Sequence, residues 1–156
     1  MKQILIAAVI AVFVLSAGTT GAQTIVLTPI PQNIQIPLAG GSFQYQAVIT
    51  NNTLNTITFD AWTEAMLPNL NMVGPLLYVP NITLGPNQTI TATLTQYVPG
   101  YAPAGGYAYW GNVGVYPTYV DRYGFDFVKL PNGPYLGFGP EQNWKIEGWK
   151  TGSAGE

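Results

Sequence analysis

Apolar and polar residues alternate through most of this chain with a period of two, the spacing of a strand with one face buried and the other wet. Over residues 42–50, Phe43, Tyr45, Ala47 and Ile49 share one side and polar residues dominate the other. Over 89–98, Ile90, Ala92, Leu94 and Val98 point one way and Thr89, Thr91, Thr93 and Thr95 the other. Residues 57–65 predict a further strand centred on Trp62. Tyr107, Tyr109, Val113 and Val115 share a parity, as do Tyr123, Phe125 and Phe127, which predicts two late strands joined by a turn at Pro117. Asn51-Asn52-Thr53, Gly85-Pro86-Asn87-Gln88 and Pro103-Ala104-Gly105-Gly106 punctuate them, because Gly and Asn accept positive φ and Pro presets a turn. Short strands about ten residues apart, in a chain with 18 Gly and 13 Pro, predict an all-β antiparallel sandwich over residues 23–130.

The two ends read differently. Lys2, an apolar run over 4–15 and small residues over 16–22 have the three-part layout of a secretory signal peptide, with cleavage expected after Ala22. The apolar run is shorter than the roughly 20 residues of a permanent membrane span. An uncleaved anchor is the alternative, since residues 16–21 extend the run at little cost. After cleavage no membrane span is expected. Residues 23–31 and 33–37 predict one or two edge strands, because proline cannot donate to a central ladder. Residues 131–156 form a Gly/Pro-rich linker (131–140) and an aromatic tail. In that tail Trp144 and Ile146 alternate with Lys145 and Glu147, predicting a short final strand or docked segment before a disordered end at 151–156.

Composition narrows the chemistry. The chain of 156 residues has no His and no Cys, so it holds no Ser-His-Asp or Cys-His nucleophile, no zinc site of the usual ligands, no disulfide and no lipidated thiol. Five Lys plus Arg against seven Asp plus Glu, for a net charge of -2, give no basic footprint for nucleic acid. No cofactor is expected. Between residues 23 and 120 the charged side chains are Asp60 and Glu64 alone, and a surface so weakly charged tolerates contact with copies of itself or with neutral glycans.

Gly40-Gly41-Ser42-Phe43 leading to Tyr45, the Asn51-Asn52 turn and the Phe59-Asp60-Ala61-Trp62 strand together resemble a known pattern. Leu84-Gly85-Pro86-Asn87-Gln88-Thr89, Pro103-Ala104-Gly105-Gly106-Tyr107-Ala108-Tyr109 and Phe125-Asp126-Phe127 continue it. The chain resembles the immunoglobulin-like modules of bacterial and archaeal surface proteins, including the cell-adhesion-related type, over about residues 24–130. The resemblance implies extracellular scaffolding or adhesion. It carries no binding residue with it, since such modules share a fold and not a site. Those modules recur within long proteins, whereas a single domain is expected here, and its aromatic tail matches no part of them.

Several residues are candidates for a site. Trp110, Asn112 and Tyr116 fall opposite the core-facing tyrosines of their strand and, with Tyr119, make a candidate sugar platform: rings contact apolar sugar faces and amides serve hydroxyls. The bland alternative covers Trp110 and Tyr116 with Trp144 and Trp149 of the tail. Asp60, Glu64, Asp121 and Asp126 are the sandwich's carboxylates. Asp60 and Glu64 share a face but lie about 13 Å apart along one strand, beyond the ~5–9.5 Å of a glycosidase pair. A cross-strand pair, or a calcium site using Asp60, Asp121 or Asp126, stays open, but no dense Asp/Asn loop supports the metal, and solvated edge charges account for these residues. The threonines of 89–95 suit a wet strand face better than an ice-binding plane. Asn51, Asn81 and Asn87 each begin Asn-x-Thr, the glycosylation pattern. Residues 130–134 lack the threonine, apolar span and basic end of a wall-sorting signal.

The function expected is that of a secreted, non-enzymatic subunit of an extracellular filament, sheath or surface layer, partnered by copies of itself or other surface proteins. Ile25, Leu27, Ile34 and Ile36, with Trp144, Ile146 and Trp149, are the candidate assembly residues, pairing with a neighbour's sheet edge. Alternatively the N-terminal residues form the first strand of their own sandwich. The alternative function is a monomeric carbohydrate-binding or adhesion module using the exposed aromatics.

Overall fold

The structure is a computed structural model that describes residues 21–132 and 143–150. The expected signal segment to residue 20, most of the linker (133–142) and the end from 151 lie outside the described residues. Nine strands are described: β1 (Gln23–Ile30), β2 (Gln35–Ile36), β3 (Gly41–Asn51), β4 (Ile57–Met66), β5 (Met72–Leu84), β6 (Thr89–Val98), β7 (Gly105–Val115), β8 (Thr118–Lys129) and β9 (Lys145–Glu147). They form one sheet in the order β1-β3-β6-β9 and a second in the order β2-β8-β7-β4-β5. The pairing is antiparallel throughout except at β2, whose two residues run parallel to β8.

Strict alternation produces the core. Phe43, Tyr45, Ala47 and Ile49 of β3 are buried against Phe59, Ala61 and Ala65 of β4 and Tyr107, Tyr109 and Val113 of β7. Large buried side chains of this kind stabilise by roughly 1.5–3 kcal/mol each. Five rings interlock, with Phe43 meeting Tyr109 edge-on at 5.4 Å and Phe125 at 5.7 Å, and Tyr107 stacked on Phe127 at 4.6 Å. Gly111 is needed in this layer, since a Cβ there would stand 2.9 Å from Leu27 Cδ1.

Four features depart from the expectations above. β5 carries no signal of alternation; it is an edge strand with Pro75 and Pro80 in it and Asn81 at φ 58°, half-exposed along most of its length. Val115 shares the parity of Val113 but is 71% exposed, because a bulge between Val113 and Gly114 breaks the register with β8. Tyr123, paired with Gly111, is exposed although Phe125 and Phe127 pack inward. Buried polar side chains, Lys129 and Gln96 among them, were not anticipated. Lys129 is fully covered and donates to the carbonyls of Leu38 (2.7 Å) and Gly100 (2.9 Å); burial pulls its pKa down. Gln96 accepts from the Tyr109 hydroxyl (2.9 Å), which lies 3.1 Å from that of Tyr45. Burial pushes the Tyr45 hydroxyl up to about 12 and that of Tyr109 well above its usual value.

The candidate assembly residues at the N-terminus are part of this core: Ile25, Leu27, Ile34 and Ile36 are all buried. β1 pairs with β3 along its whole length, and Ile25 N donates to Asp121 Oδ2 at 2.9 Å, tying β1 to the other sheet. The tail returns as β9 on the edge of β6, with Thr95 opposite Glu147 and Tyr97 opposite Lys145.

Candidate ligand-binding face

Residues paired across antiparallel strands point to the same side, so register sorts the outward side chains of the five-stranded sheet into rows. One row runs Tyr78, Trp62, Asn112, Arg122; the next holds Glu64, Trp110 and Gly124; a third holds Asp60, Gly114 and Tyr119. Trp62 lies on this outer face and is nevertheless only 2% exposed. Tyr116, from the turn joining β7 and β8, stands edge-on to it at 5.3 Å, and Tyr78 lies 5.1 Å from Tyr116.

Asp60 holds that turn down. Its Oδ1 accepts from Asn81 N (3.1 Å), and its Oδ2 accepts from Tyr116 N (3.1 Å) and the Tyr78 hydroxyl (3.3 Å). The backbone bond from Asn81, followed by that from Tyr116, lowers the pKa of the Asp60 carboxyl. One carboxylate of β4 therefore ties β5 and the β7–β8 turn together beside the Trp62 ring.

Trp110 lies over Gly124, where a Cβ would stand 2.4 Å from its ring. The Arg122 guanidinium sits 4.1 Å from the centre of Trp110 and 4.8 Å from that of Tyr119, a cation between two ring faces. No ion pair to Arg122 occurs among the described residues. Asn112 is fully buried between these aromatic groups, with Nδ2 donating to Glu64 Oε2 (3.3 Å) and to the Trp62 carbonyl (3.5 Å). Its Oδ1 and Arg122 Nε are buried on directly paired residues, and neither has a hydrogen-bond partner among the described residues.

All four expected platform residues, Trp110, Asn112, Tyr116 and Tyr119, thus converge on one face. The tail does not cover them. Trp144 packs 6.1 Å from Tyr107, and Trp149 lies between the sheets beside Ile25, Leu27 and Leu94, on the inner side of the five-stranded sheet. Sequence reasoning missed Trp62, Tyr78, Arg122 and the two carboxylates as members of the face. Trp62 shares the parity of Asp60 and Glu64 on β4, and cross-strand register brings it to Asn112 and Tyr78.

The other candidates separate. Asp60 and Glu64 are engaged as acceptors, Asp121 holds Ile25 N, and Asp126 is exposed on β8. Among the described residues no three His, Cys, Asp or Glu side chains are placed to hold a metal ion. The threonines of β6 do not extend into a plane, since their β3 partners are Thr50, Val48, Gln46 and Gln44. Asn51 is fully buried and its Nδ2 donates to the carbonyls of Asn55, Leu84 and Gly85, which makes it a turn-holding residue and leaves no amide for a glycan. Asn81 and Asn87 are exposed, at φ 58° and 54°.

No protein family and no curated protein matches the sequence. Solved structures do match the fold. The crystal structure of the CARDB domain of the PF1109 protein from Pyrococcus furiosus, in complex with di-metal ions, has a TM-score of 0.51 at 14% identity, over 70% of this chain and 94% of that one. The solution structure of the same domain gives 0.52 at 14% identity, over 71% and 96%. A β-glucuronidase from Bacteroides uniformis reaches 0.51 at 11% identity, over 69% of this chain but only 14% of the enzyme. The architecture is that of an immunoglobulin-like β-sandwich. At such identities the likeness extends to the fold and not to any site.

Proposed function

We propose that this chain is a secreted, non-enzymatic adhesion module of the cell surface that holds a neutral polysaccharide on the outer face of its five-stranded sheet. The observation that carries the reading is the convergence of Trp62, Tyr78, Trp110 and Tyr116 around Asn112 and Glu64. The exposed rings of Tyr78, Tyr116 and Tyr119 and the half-buried ring of Trp110 supply apolar contact for sugar C–H groups, Glu64 and Arg122 serve hydroxyls, and the buried Trp62 and Asn112 hold these groups in place. Asp60, Glu64 and Asp126 share this face with a single cation, Arg122, so an acidic polysaccharide meets net repulsion and a neutral one does not. The signal-like N-terminus and the CARDB-like architecture agree with an extracellular place of work. The N-terminal version of the filament reading has less support, because Ile25, Leu27, Ile34 and Ile36 would first have to leave their own core.

The test is retention of the purified chain on a panel of insoluble neutral and acidic polysaccharides. Trp110→Ala is expected to abolish retention on a neutral member while circular dichroism and urea unfolding stay close to those of the parent. Unchanged retention in Trp110→Ala and Tyr116→Ala moves the site elsewhere and overturns the reading.

A further inference from the structure

We propose that the C-terminal segment Trp144 to Trp149 is exchanged between copies of this chain, so that the tail of one molecule fills the slot of the next. This stands independently of the saccharide reading. The slot runs along the edge of β6 and into the gap between the sheets. β9 pairs with only three residues of β6, Thr95 to Tyr97, and no strand pairs with that edge from Thr89 to Leu94 among the described residues. Past β9 the chain turns inward at Gly148 (φ 101°), where a Cβ would stand 2.4 Å from the Thr93 carbonyl oxygen. Trp149 then packs against the core, lining a small void with Leu27, Ile49 and Leu94 of one sheet and Ala61 and Leu77 of the other. Gln96 Nε2 reaches out from the core to the Lys145 carbonyl (3.2 Å), and the Tyr97 hydroxyl donates to Glu147 Oε2 (3.1 Å).

The occupant is a second copy because the tail and slot are complementary by demonstration: the same segment fills the same slot in its own molecule. Its seat there is small and imperfect, with three paired residues and a buried Trp149 Nε1 that finds no acceptor among the described residues. Residues 130–142 connect it to β8, a length that spans up to roughly 45 Å when extended and so reaches a neighbour's slot as well as its own. Contacts made in cis and in trans are identical, so protein concentration against the tether's effective concentration decides between them. Reciprocal exchange closes a dimer; onward exchange leaves an open chain of subunits.

The absence of cysteine from the sequence makes the exchange directly readable. Thr95 and Glu147 are register partners, so full-length Thr95→Cys and Glu147→Cys chains are mixed at high concentration, incubated and oxidised. Exchange is expected to give a 95–147 disulfide between chains, identified by peptide mass, well above the 95–95 and 147–147 products. Adding Trp149→Ala to the Glu147→Cys chain should lower that product roughly tenfold, because the donor tail loses its anchor. Adding it to the Thr95→Cys chain should raise it, because that slot is vacated more easily. A purely structural tryptophan would not give opposite signs. The double variant Thr95→Cys/Glu147→Cys closes within one chain at high dilution and is expected to stop mass growth in light scattering. Efficient closure within single chains at every concentration, with no mixed product, overturns the proposal. Failure of the two cysteines to join in either arrangement overturns it too, since the β6–β9 register would then be wrong.

Discussion

Gln96→Leu is expected to destabilise the domain far more than Tyr45→Phe, although both remove buried polar groups of one network. Gln96 is fully buried and makes three hydrogen bonds: from Tyr109 OH (2.9 Å), and to the carbonyls of Tyr97 (2.8 Å) and Lys145 (3.2 Å). Each is worth about 0.5–1.5 kcal/mol net. With Gln96 gone, Tyr45 and Tyr109 share one hydrogen bond between two hydroxyls, and one proton is left without an acceptor, at roughly 1–3 kcal/mol. The leucine recovers part of this through apolar contact. The sum is about 3 kcal/mol, or on the order of 10 °C in Tm for a domain of this size. Tyr45→Phe removes only the hydroxyl at the end of the chain of bonds, while Tyr109 still donates to Gln96, so the cost is about 1 kcal/mol. Urea unfolding followed by tryptophan fluorescence measures both, provided the m-value is unchanged. A Tyr45→Phe cost equal to or above that of Gln96→Leu refutes the bond order Tyr45 to Tyr109 to Gln96.

Two further outcomes concern the outer face. Asp60 has a lowered carboxyl pKa from its bonds to Asn81 N and Tyr116 N, so its contribution to holding the turn is present above about pH 4, the unfolded value, and is lost as pH falls through the lower folded value. Polysaccharide retention should therefore hold from neutral pH down to about pH 4 and decline only below it, and Asp60→Asn, which replaces one acceptor by a donor, should weaken retention at pH 7 as well; equal retention by Asp60→Asn and the parent at pH 7 counts against the clamp. Gly124→Ala drives a methyl into the Trp110 ring, 2.4 Å away, and should weaken retention severalfold with a shift in tryptophan emission; unchanged emission shows that Trp110 does not lie on Gly124.

What the sequence made legible is what alternation encodes. Phe43, Tyr45, Ala47 and Ile49 fall on one face because β3 is central in its sheet and buries one side completely, and a one-residue slip would expose all four. β5 escaped because an edge strand half-exposed on both faces has no such constraint, and its Pro75 and Pro80 read as turn signals. Val115 was misplaced because a bulge is a property of two strands and cannot be seen in one. The site behaves the same way. Trp110, Asn112 and Tyr116 were found from their own strand, but Trp62, Tyr78 and Arg122 join them only through cross-strand register, which local patterning does not carry.

The treatment of sheet edges connects the composition to the proposed exchange. Proteins commonly blunt exposed edges with charge, above all lysine, and this chain has almost none to place there. Its other edge strands carry no charged residue of their own. β5 contains Pro75 and Pro80, β1 contains Pro29 and is tied across to Asp121, and β2 is two residues long. The β6 edge has no proline and bears threonines; its protection is β9 and the aromatic residues around it. An edge protected by a tethered segment, and not by its own residues, is open whenever that segment leaves. The next tail is then the best-fitting partner available, which is why the C-terminal segment, and not the N-terminal strands, carries the case for self-association.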